Sequence, residues 1–133
     1  MTLREIDLPR IQEPLPKAVA AFLEEARAEG DRFDYVHRNQ PISGFVASDY
    51  RQVFFAIQYL KTTGLLRGRC FCEWGSGFGV GACLASLLGY RSYGLEIEED
   101  LVTLARQLAS DHEIAVNNIC TSYFPEGYGS YPA

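Results

Sequence analysis

Apolar residues recur at helical spacing in two stretches of the first half of the chain. The first stretch begins at Pro16, which suits a first helical turn, and stops before a glycine, so we predict a helix over residues 16–29. The second follows Ser48, a candidate N-cap, and ends near Gly64. Residues 31–45, between the two helices, mix aromatic residues with turn formers, which predicts an irregular segment.

The pattern changes at Arg69, where short apolar runs begin to alternate with helical stretches. The runs RCFCEW, RSYGLEI and IAVNNIC are compatible with β-strands, and the first runs directly into glycines. Helical patterns lie between them, and acidic residues in the first turn of the later helix favour its positive end. Strand, helix, strand, helix, strand at this spacing predicts right-handed βαβ units. The predicted fold class is therefore α/β, with a parallel sheet of about three strands preceded by N-terminal helices.

The composition fits one domain. Of 133 residues, 47% are hydrophobic and 22% are charged, which is enough apolar material for a single packed core. We therefore predict a single domain over residues 1–133, in which residues 1–66 form a helical cover and residues 67–133 form the core that contains the sheet.

Charge and hydropathy narrow the range of partners. The net charge of −5 argues against affinity gained mainly by neutralising phosphates, so nucleic acid is not indicated. No apolar run approaches the roughly 18 to 20 residues of a spanning helix, and the chain start lacks the apolar stretch of a secretory signal. We expect no membrane association and a cytoplasmic location.

The four cysteines do not have the spacing of repeated zinc ligands, so no metal site is predicted. Cys70 and Cys72 lie one residue apart in an apolar strand, which places them on the same face. We expect them to be buried reduced thiols that behave as small hydrophobes. The two histidines lie far apart, which favours surface or capping positions over a catalytic triad.

The most informative stretch is EWGSGFGVG, residues 73–81, between a predicted strand and a predicted helix. Glycines there permit positive φ angles and let a ligand approach the backbone, while the helix N-terminus offers unpaired N–H groups. Glu96 ends the second strand about 20 residues later, where a carboxylate can accept both hydroxyls of a ribose. These residues predict a nucleotide-like ligand.

Two details indicate which ligand it is. A dinucleotide site has a third small residue where this chain has Val80. The carboxylate of Glu73, just before the glycines, would repel a pyrophosphate but suits a ligand with an ammonium group. S-adenosylmethionine carries an ammonium group and a sulfonium.

The stretch CEWGSGFGVG, followed by LEIEEDLVTLAR, resembles motif I and the following acidic motif of class I S-adenosylmethionine-dependent methyltransferases. The resemblance spans about residues 69–124 and implies a Rossmann-like fold with S-adenosylmethionine as cofactor. It implies that the motif I acid places the methionine end, that the glycine loop passes under it, and that the second acid holds the ribose. The implied cofactor-binding residues are Glu73, Gly75, Ser76, Gly77, Gly79, Glu96 and, flanking the adenine, Ile97.

The resemblance covers only part of that fold. The full core of the family is a seven-stranded sheet, and three strands fit here, so we predict a fold truncated after the third strand with no assignable catalytic residue. The first strand, central in the full fold, would then have an unpaired edge. The N-terminal helices, a second copy in a homodimer, or a missing C-terminal half would cover it.

Further residues are weaker candidates for the pocket. Residues 121–123 follow the third strand, near the position that the resemblance assigns to the adenine amine. Tyr50 and Arg51 either line the site or, as helical spacing favours, belong to the apolar stripe and flank of the second helix. The aromatic tail, residues 122–133, either closes over the pocket, fills a partner's groove or frays.

We therefore predict an S-adenosylmethionine-dependent methyltransferase whose acceptor is unknown. The alternative from a different class is a non-catalytic module that binds S-adenosylmethionine or another nucleotide. An NAD-dependent oxidoreductase is disfavoured by Val80 and Glu73.

Overall fold

Two helices precede an alternation of three strands and two further helices in the computed structural model, which describes residues 2–39 and 48–122. The elements are α1 (Lys17–Val36), α2 (Tyr50–Thr62), β1 (Cys70–Trp74), α3 (Val80–Leu87), β2 (Arg91–Glu96), α4 (Glu99–Asp111) and β3 (Val116–Cys120). The strands form one parallel sheet in the order β1-β2-β3. This order confirms the predicted α/β class with N-terminal helices. No helix of the described ranges combines the length and the apolar character needed to cross a membrane.

Helix α1 is longer than its sequence pattern predicts. It continues through Gly30 to Val36, so the predicted end at residue 29 is wrong, and so is the irregular structure expected over residues 31–36. The ring of Phe78 lies 3.1 Å from the position that a Cβ of Gly30 would take. Phe33 packs edge-on against the same ring, with centroids 5.5 Å apart. This packing offsets the cost of about 1 kcal/mol that a glycine adds inside a helix.

Helix α2 begins one residue after its true N-cap, which is Asp49 and not the predicted Ser48. The Asp49 carboxylate accepts a hydrogen bond from the Gln52 backbone N–H at 3.3 Å, the usual bond of an N-cap side chain. Both residues are accepted cap types, so their order along the chain alone does not distinguish them.

The core lies between the sheet and the N-terminal helices. Helices α3 and α4 pack on one face of the sheet, and α1 and α2 pack on α3. The largest fully buried side chains come from all four helices: Phe22, Phe54, Val80, Cys83, Leu84, Leu101, Val102 and Leu108. The N-terminal helices therefore cover the helical layer, and β1 pairs only with β2 within the described part of the chain.

The second face of the sheet explains a wrong prediction about the thiols. Cys70 and Cys72 lie on the same face, as predicted, but both are exposed because α3 and α4 pack on the opposite face. Cys120 is exposed as well, and only Cys83, in α3, is buried. All four are free thiols.

Candidate functional site

The glycine loop between β1 and α3 has the backbone geometry that the sequence predicts. Gly75, Gly77 and Gly79 have φ angles of 65°, 54° and 72°, in the left-handed region. The buried Ser76 donates its backbone N–H to the carbonyl of Leu95 at 3.0 Å, and its own carbonyl accepts the Gly79 N–H at 2.7 Å. The loop is therefore tied to the end of β2 and folds back on itself before α3 begins.

The carboxylate of Glu96 is hydrogen-bonded to this loop. Its Oε2 accepts the backbone N–H of Gly77 at 2.9 Å, and its Oε1 accepts those of Ile97 at 2.9 Å and Glu98 at 3.1 Å. A carboxylate has about four lone-pair sites, so acceptor capacity remains for a hydroxyl. The side chain of Ile97 is 58% exposed beside it, at the end of β2.

Glu73 reaches the N-terminus of α3. Its Oε2 accepts the Ala82 backbone N–H at 2.9 Å. A Cβ at Gly81 would lie 2.7 Å and 2.8 Å from the two carboxylate oxygens, so the missing side chain at Gly81 gives the carboxylate its place. Burial raises the pKa of Glu73 to about 7; the Ala82 hydrogen bond opposes this shift, and the negative charge of Glu96 adds to it. Near neutral pH the carboxyl is thus about half ionised.

The role of Glu73 at the helix N-terminus was missed by reasoning from the sequence. Gly79, the N-cap of α3, makes no side-chain capping bond, and the Glu73 carboxylate satisfies one of the free N–H groups instead. A sequence signal existed, because a small residue at position 81 allows an acid on the preceding strand to approach. The same carboxylate affects Cys83, whose pKa is raised to about 12 by burial and by the charge of Glu73. That thiol stays protonated.

Tyr50 lies closer to the site than its helical spacing suggests. It packs against the core, as predicted, and the pKa of its hydroxyl is raised first by burial and then by the negative charge of Glu73. Tyr50 and Phe78 of the glycine loop also line a cavity of about 670 Å³ between α1 and the start of α2. Tyr50 therefore belongs to the apolar stripe of α2 and also lies near Glu73 of the candidate site.

Arg51 anchors the N-terminal segment. Its guanidinium donates to the carbonyls of Ile11 at 3.1 Å and Glu13 at 2.7 Å, and it lies 4.7 Å from the centre of the Phe55 ring. It also lines the cavity beside Tyr50. These bonds give Arg51 a structural task that the sequence did not indicate.

The remaining candidates are only partly described. Thr121 follows β3 and donates its backbone N–H to the Glu96 carbonyl at 2.9 Å, which brings residues 121 and 122 to the same sheet edge as Glu96. Tyr123 and the rest of the tail lie outside the described residues, as do residues 40–47. No group of three metal-ligating side chains occurs within the ranges that the structure describes.

Solved structures similar to this chain include methyltransferases. Magnesium protoporphyrin IX methyltransferase from Synechocystis PCC 6803 with bound SAH is 19% identical, with a TM-score of 0.51 over 80% of this chain and 52% of that chain. The structure of the same enzyme with bound SAM is 18% identical, with a TM-score of 0.50 over 84% of this chain and 57% of that chain. A methyltransferase from Geobacter sulfurreducens is 17% identical, with a TM-score of 0.50 over 84% of this chain and 53% of that chain.

These similarities establish the fold. The protein has a Rossmann-like α/β fold that corresponds to part of the class I methyltransferase fold, as the sequence predicts. The chain spans about half the length of the structures it matches. No protein-family model matches it, and no curated protein matches it.

Proposed function

We propose that this protein binds S-adenosylmethionine and acts in methyl transfer. The observation that carries the proposal is the pair of carboxylates, Glu73 and Glu96, at the ends of adjacent parallel strands on either side of one glycine loop. Ligands of open α/β sheets bind at the carboxyl ends of the strands. This arrangement offers an acid to each end of a ligand that lies across the loop.

At the β2 end, Glu96 would hold the ribose. Its carboxylate retains acceptor capacity beyond the three backbone bonds, and a ribose hydroxyl supplies the donor. Ile97 would flank the adenine through its exposed apolar side chain. Thr121, beside Glu96, is the nearest described polar residue after β3 for the adenine edge.

At the β1 end, the carboxylate of Glu73 would bind the ammonium group of the methionine part of the cofactor. Gly75, Ser76, Gly77 and Gly79 would pass beneath that part, where the backbone is free of side-chain obstruction. A ligand ammonium group close to Glu73 would lower the raised pKa of this carboxyl and so favour its ionised form. A pyrophosphate would be repelled by the same charge, which disfavours NAD.

The chemistry of the transfer requires alignment more than assistance. When bound, S-adenosylmethionine would supply the methyl group, which the acceptor's nucleophile would take with S-adenosylhomocysteine as the leaving thioether. Holding the two partners in line supplies most of the rate acceleration, and a base is needed only where the acceptor loses a proton. The cavity lined by Tyr50 and Phe78 provides space for an acceptor next to the glycine loop.

We also propose that residues 67–133 are the cofactor-binding core and residues 1–66 its cover. The second candidate is a binding module without turnover. In either case the edge of β1 that is unpaired within the described residues would be completed by a second copy or by further strands. Methylation of an acceptor by the purified protein would distinguish the enzyme from the binding module, since both bind the cofactor.

Calorimetric titration with S-adenosylhomocysteine and, in parallel, with NAD tests the proposal. We expect S-adenosylhomocysteine to bind and NAD not to bind. Glu96→Ala should weaken binding by about 100-fold, because it removes the ribose acceptor and the bond to the loop. Glu98→Ala is the matched control, since that side chain makes no capping bond. Binding of NAD alone, or of neither ligand, would refute the proposal.

A further inference from the structure

Three polar side chains are buried among the described residues: Ser76 of the glycine loop at 7% exposure, Ser92 of β2 at 3% and Asn118 of β3 at 5%. Both amide atoms of Asn118, Oδ1 and Nδ2, lack a hydrogen-bond partner among the described residues, and so does the hydroxyl of Ser92. A buried polar group without a partner costs stability. Stability of the fold therefore gives no reason for an amide at position 118.

The position of the amide gives a reason. Asn118 pairs in register with Gly94, and its Oδ1 lies 2.8 Å from the place that a Cβ would take at Gly94 and, equally, at Gly79. Ser76 of the loop meets the same space, since its Oγ also lies 2.8 Å from the Cβ position of Gly94. The amide thus fills the volume left by two glycines and touches the loop from below.

The contact falls at the point where the loop becomes a helix. Gly79 is the N-cap of α3 and has a φ angle of 72°, in the left-handed region. The strand that carries Asn118 is itself held, because Arg106 of α4 donates to the Asn118 carbonyl at 3.0 Å. A shift of the amide would therefore be transmitted to the loop rather than absorbed by β3.

We propose that Asn118 is a positioning residue for cofactor binding, which supports the glycine loop at Gly79 and thereby sets the place of the loop's backbone N–H groups. The inference rests on the proposed function, since it assigns a role toward the same cofactor. Asn118 does not touch the ligand; it acts through the backbone of Gly79. Its unpaired amide is then a case of stability given up for the geometry of a site.

Two variants, each of which removes a buried polar group without a hydrogen-bond partner, distinguish positioning of the loop by Asn118 from a purely structural role. Asn118→Leu replaces the amide by an apolar group of similar size, and Ser92→Ala removes a buried hydroxyl that has no hydrogen-bond partner among the described residues. Both should keep or raise the urea midpoint of unfolding, because each removes an unpaired buried group. Only Asn118→Leu should weaken binding of S-adenosylhomocysteine, by about tenfold, because the loop is displaced.

A second measurement needs no ligand and stands independently of the proposed function. Amide hydrogen exchange at Gly77 and Gly79 should be faster in Asn118→Leu than in the wild type, with exchange in β2 unchanged, and Ser92→Ala should leave both unchanged. Asn118→Val provides the same test with a side chain suited to a strand, should Leu fail to pack.

The outcomes distinguish the two proposals. Wild-type protein that fails to bind S-adenosylhomocysteine overturns the proposed function, while loop exchange still decides whether Asn118 supports the loop. Asn118→Leu that binds like Ser92→Ala, with unchanged loop exchange, overturns the positioning role alone. A lower unfolding midpoint with unchanged affinity in Asn118→Leu also overturns it, since the amide would then serve only the fold.

Discussion

The two faces of the sheet differ in polarity, in the opposite sense to the usual arrangement. The face under α3 and α4 buries the polar residues Ser92 and Asn118, while the other face exposes Trp74 at 68% and Ile119 at 39%. Globular proteins ordinarily bury apolar side chains and expose polar ones. The helix-facing side therefore contains buried polar groups, as the proposed site would require.

Adjacent residues along a strand fall into these different environments. In β1, Glu73 faces the helices and reaches α3, whereas its neighbours Cys72 and Trp74 are exposed on the other side. A register shift of one residue would exchange the two sets, because the side-chain period of a strand is two. The comparison teaches that the chemistry of Glu73 depends on register as much as on residue type.

The largest expected effect concerns the crowded space beneath the loop. Gly79→Ala adds a Cβ 2.8 Å from Asn118 Oδ1 and 3.2 Å from the Ala105 Cβ, at a positive φ angle. We expect a loss of about 3 kcal/mol in the free energy of unfolding, measured by urea denaturation. Gly64→Ala is the matched control, with the same φ angle of 72° but nothing within 4 Å, and should cost about 1 kcal/mol. Equal losses in the two variants would contradict the crowding.

The next effect is the pH dependence of stability. The pKa of Glu73 is raised from 4.5 to about 7 on folding, so the folded state binds this proton more tightly than the unfolded state. The contribution of Glu73 to stability is therefore full below about pH 4.5 and falls by about 3 kcal/mol as the pH rises through 7. Denaturation of wild type and Glu73→Gln across this range should show the loss in wild type alone. Glu96→Gln leaves the buried Glu73 in place and should retain most of this pH-dependent loss of stability. If the wild type loses no more stability than Glu73→Gln as the pH rises, Glu73 is not a buried acid with a raised pKa.

A smaller effect is expected on ligand affinity. Ionised Glu73 attracts the ammonium group of the ligand, so binding of S-adenosylhomocysteine should tighten about tenfold from about pH 6 to about pH 8, as the ionised fraction rises. Titration calorimetry at several pH values measures the change, and Glu73→Gln should abolish it. Affinity that weakens as the pH rises would show that Glu73 does not meet a positive group.

The smallest effect lies on the exposed face. Cys72→Ser should change the free energy of unfolding by less than about 0.5 kcal/mol, because the thiol is exposed and makes no core contact. In the native wild type, a thiol reagent should modify Cys70, Cys72 and Cys120 and reach Cys83 only after unfolding. Protection of Cys70 and Cys72 in solution would mean that another polypeptide covers this face.

The sequence predicts the geometry of the glycine loop better than the structure around it. It predicts the glycine loop and joins Glu96 to it, because the connection from strand to loop to helix is short and the glycines have local conformational meaning. It misplaces the end of α1, since Phe33 and Phe78 meet only after folding. It also assigns Cys70 to the interior, because an apolar strand does not reveal which of its faces a helix will cover.

The sequence by itself determined the order of the elements, the parallel sheet, the positive φ angles of the loop and the two acids at the strand ends. Each depends on backbone preference, strand period or short connections, which are readable over a few residues. Only the tertiary structure decided the covered face, the pKa of Glu73 and the contact of Asn118 with Gly79. These depend on burial and on packing between segments far apart in the chain. A pattern read over a few residues does not show which distant segments will come into contact.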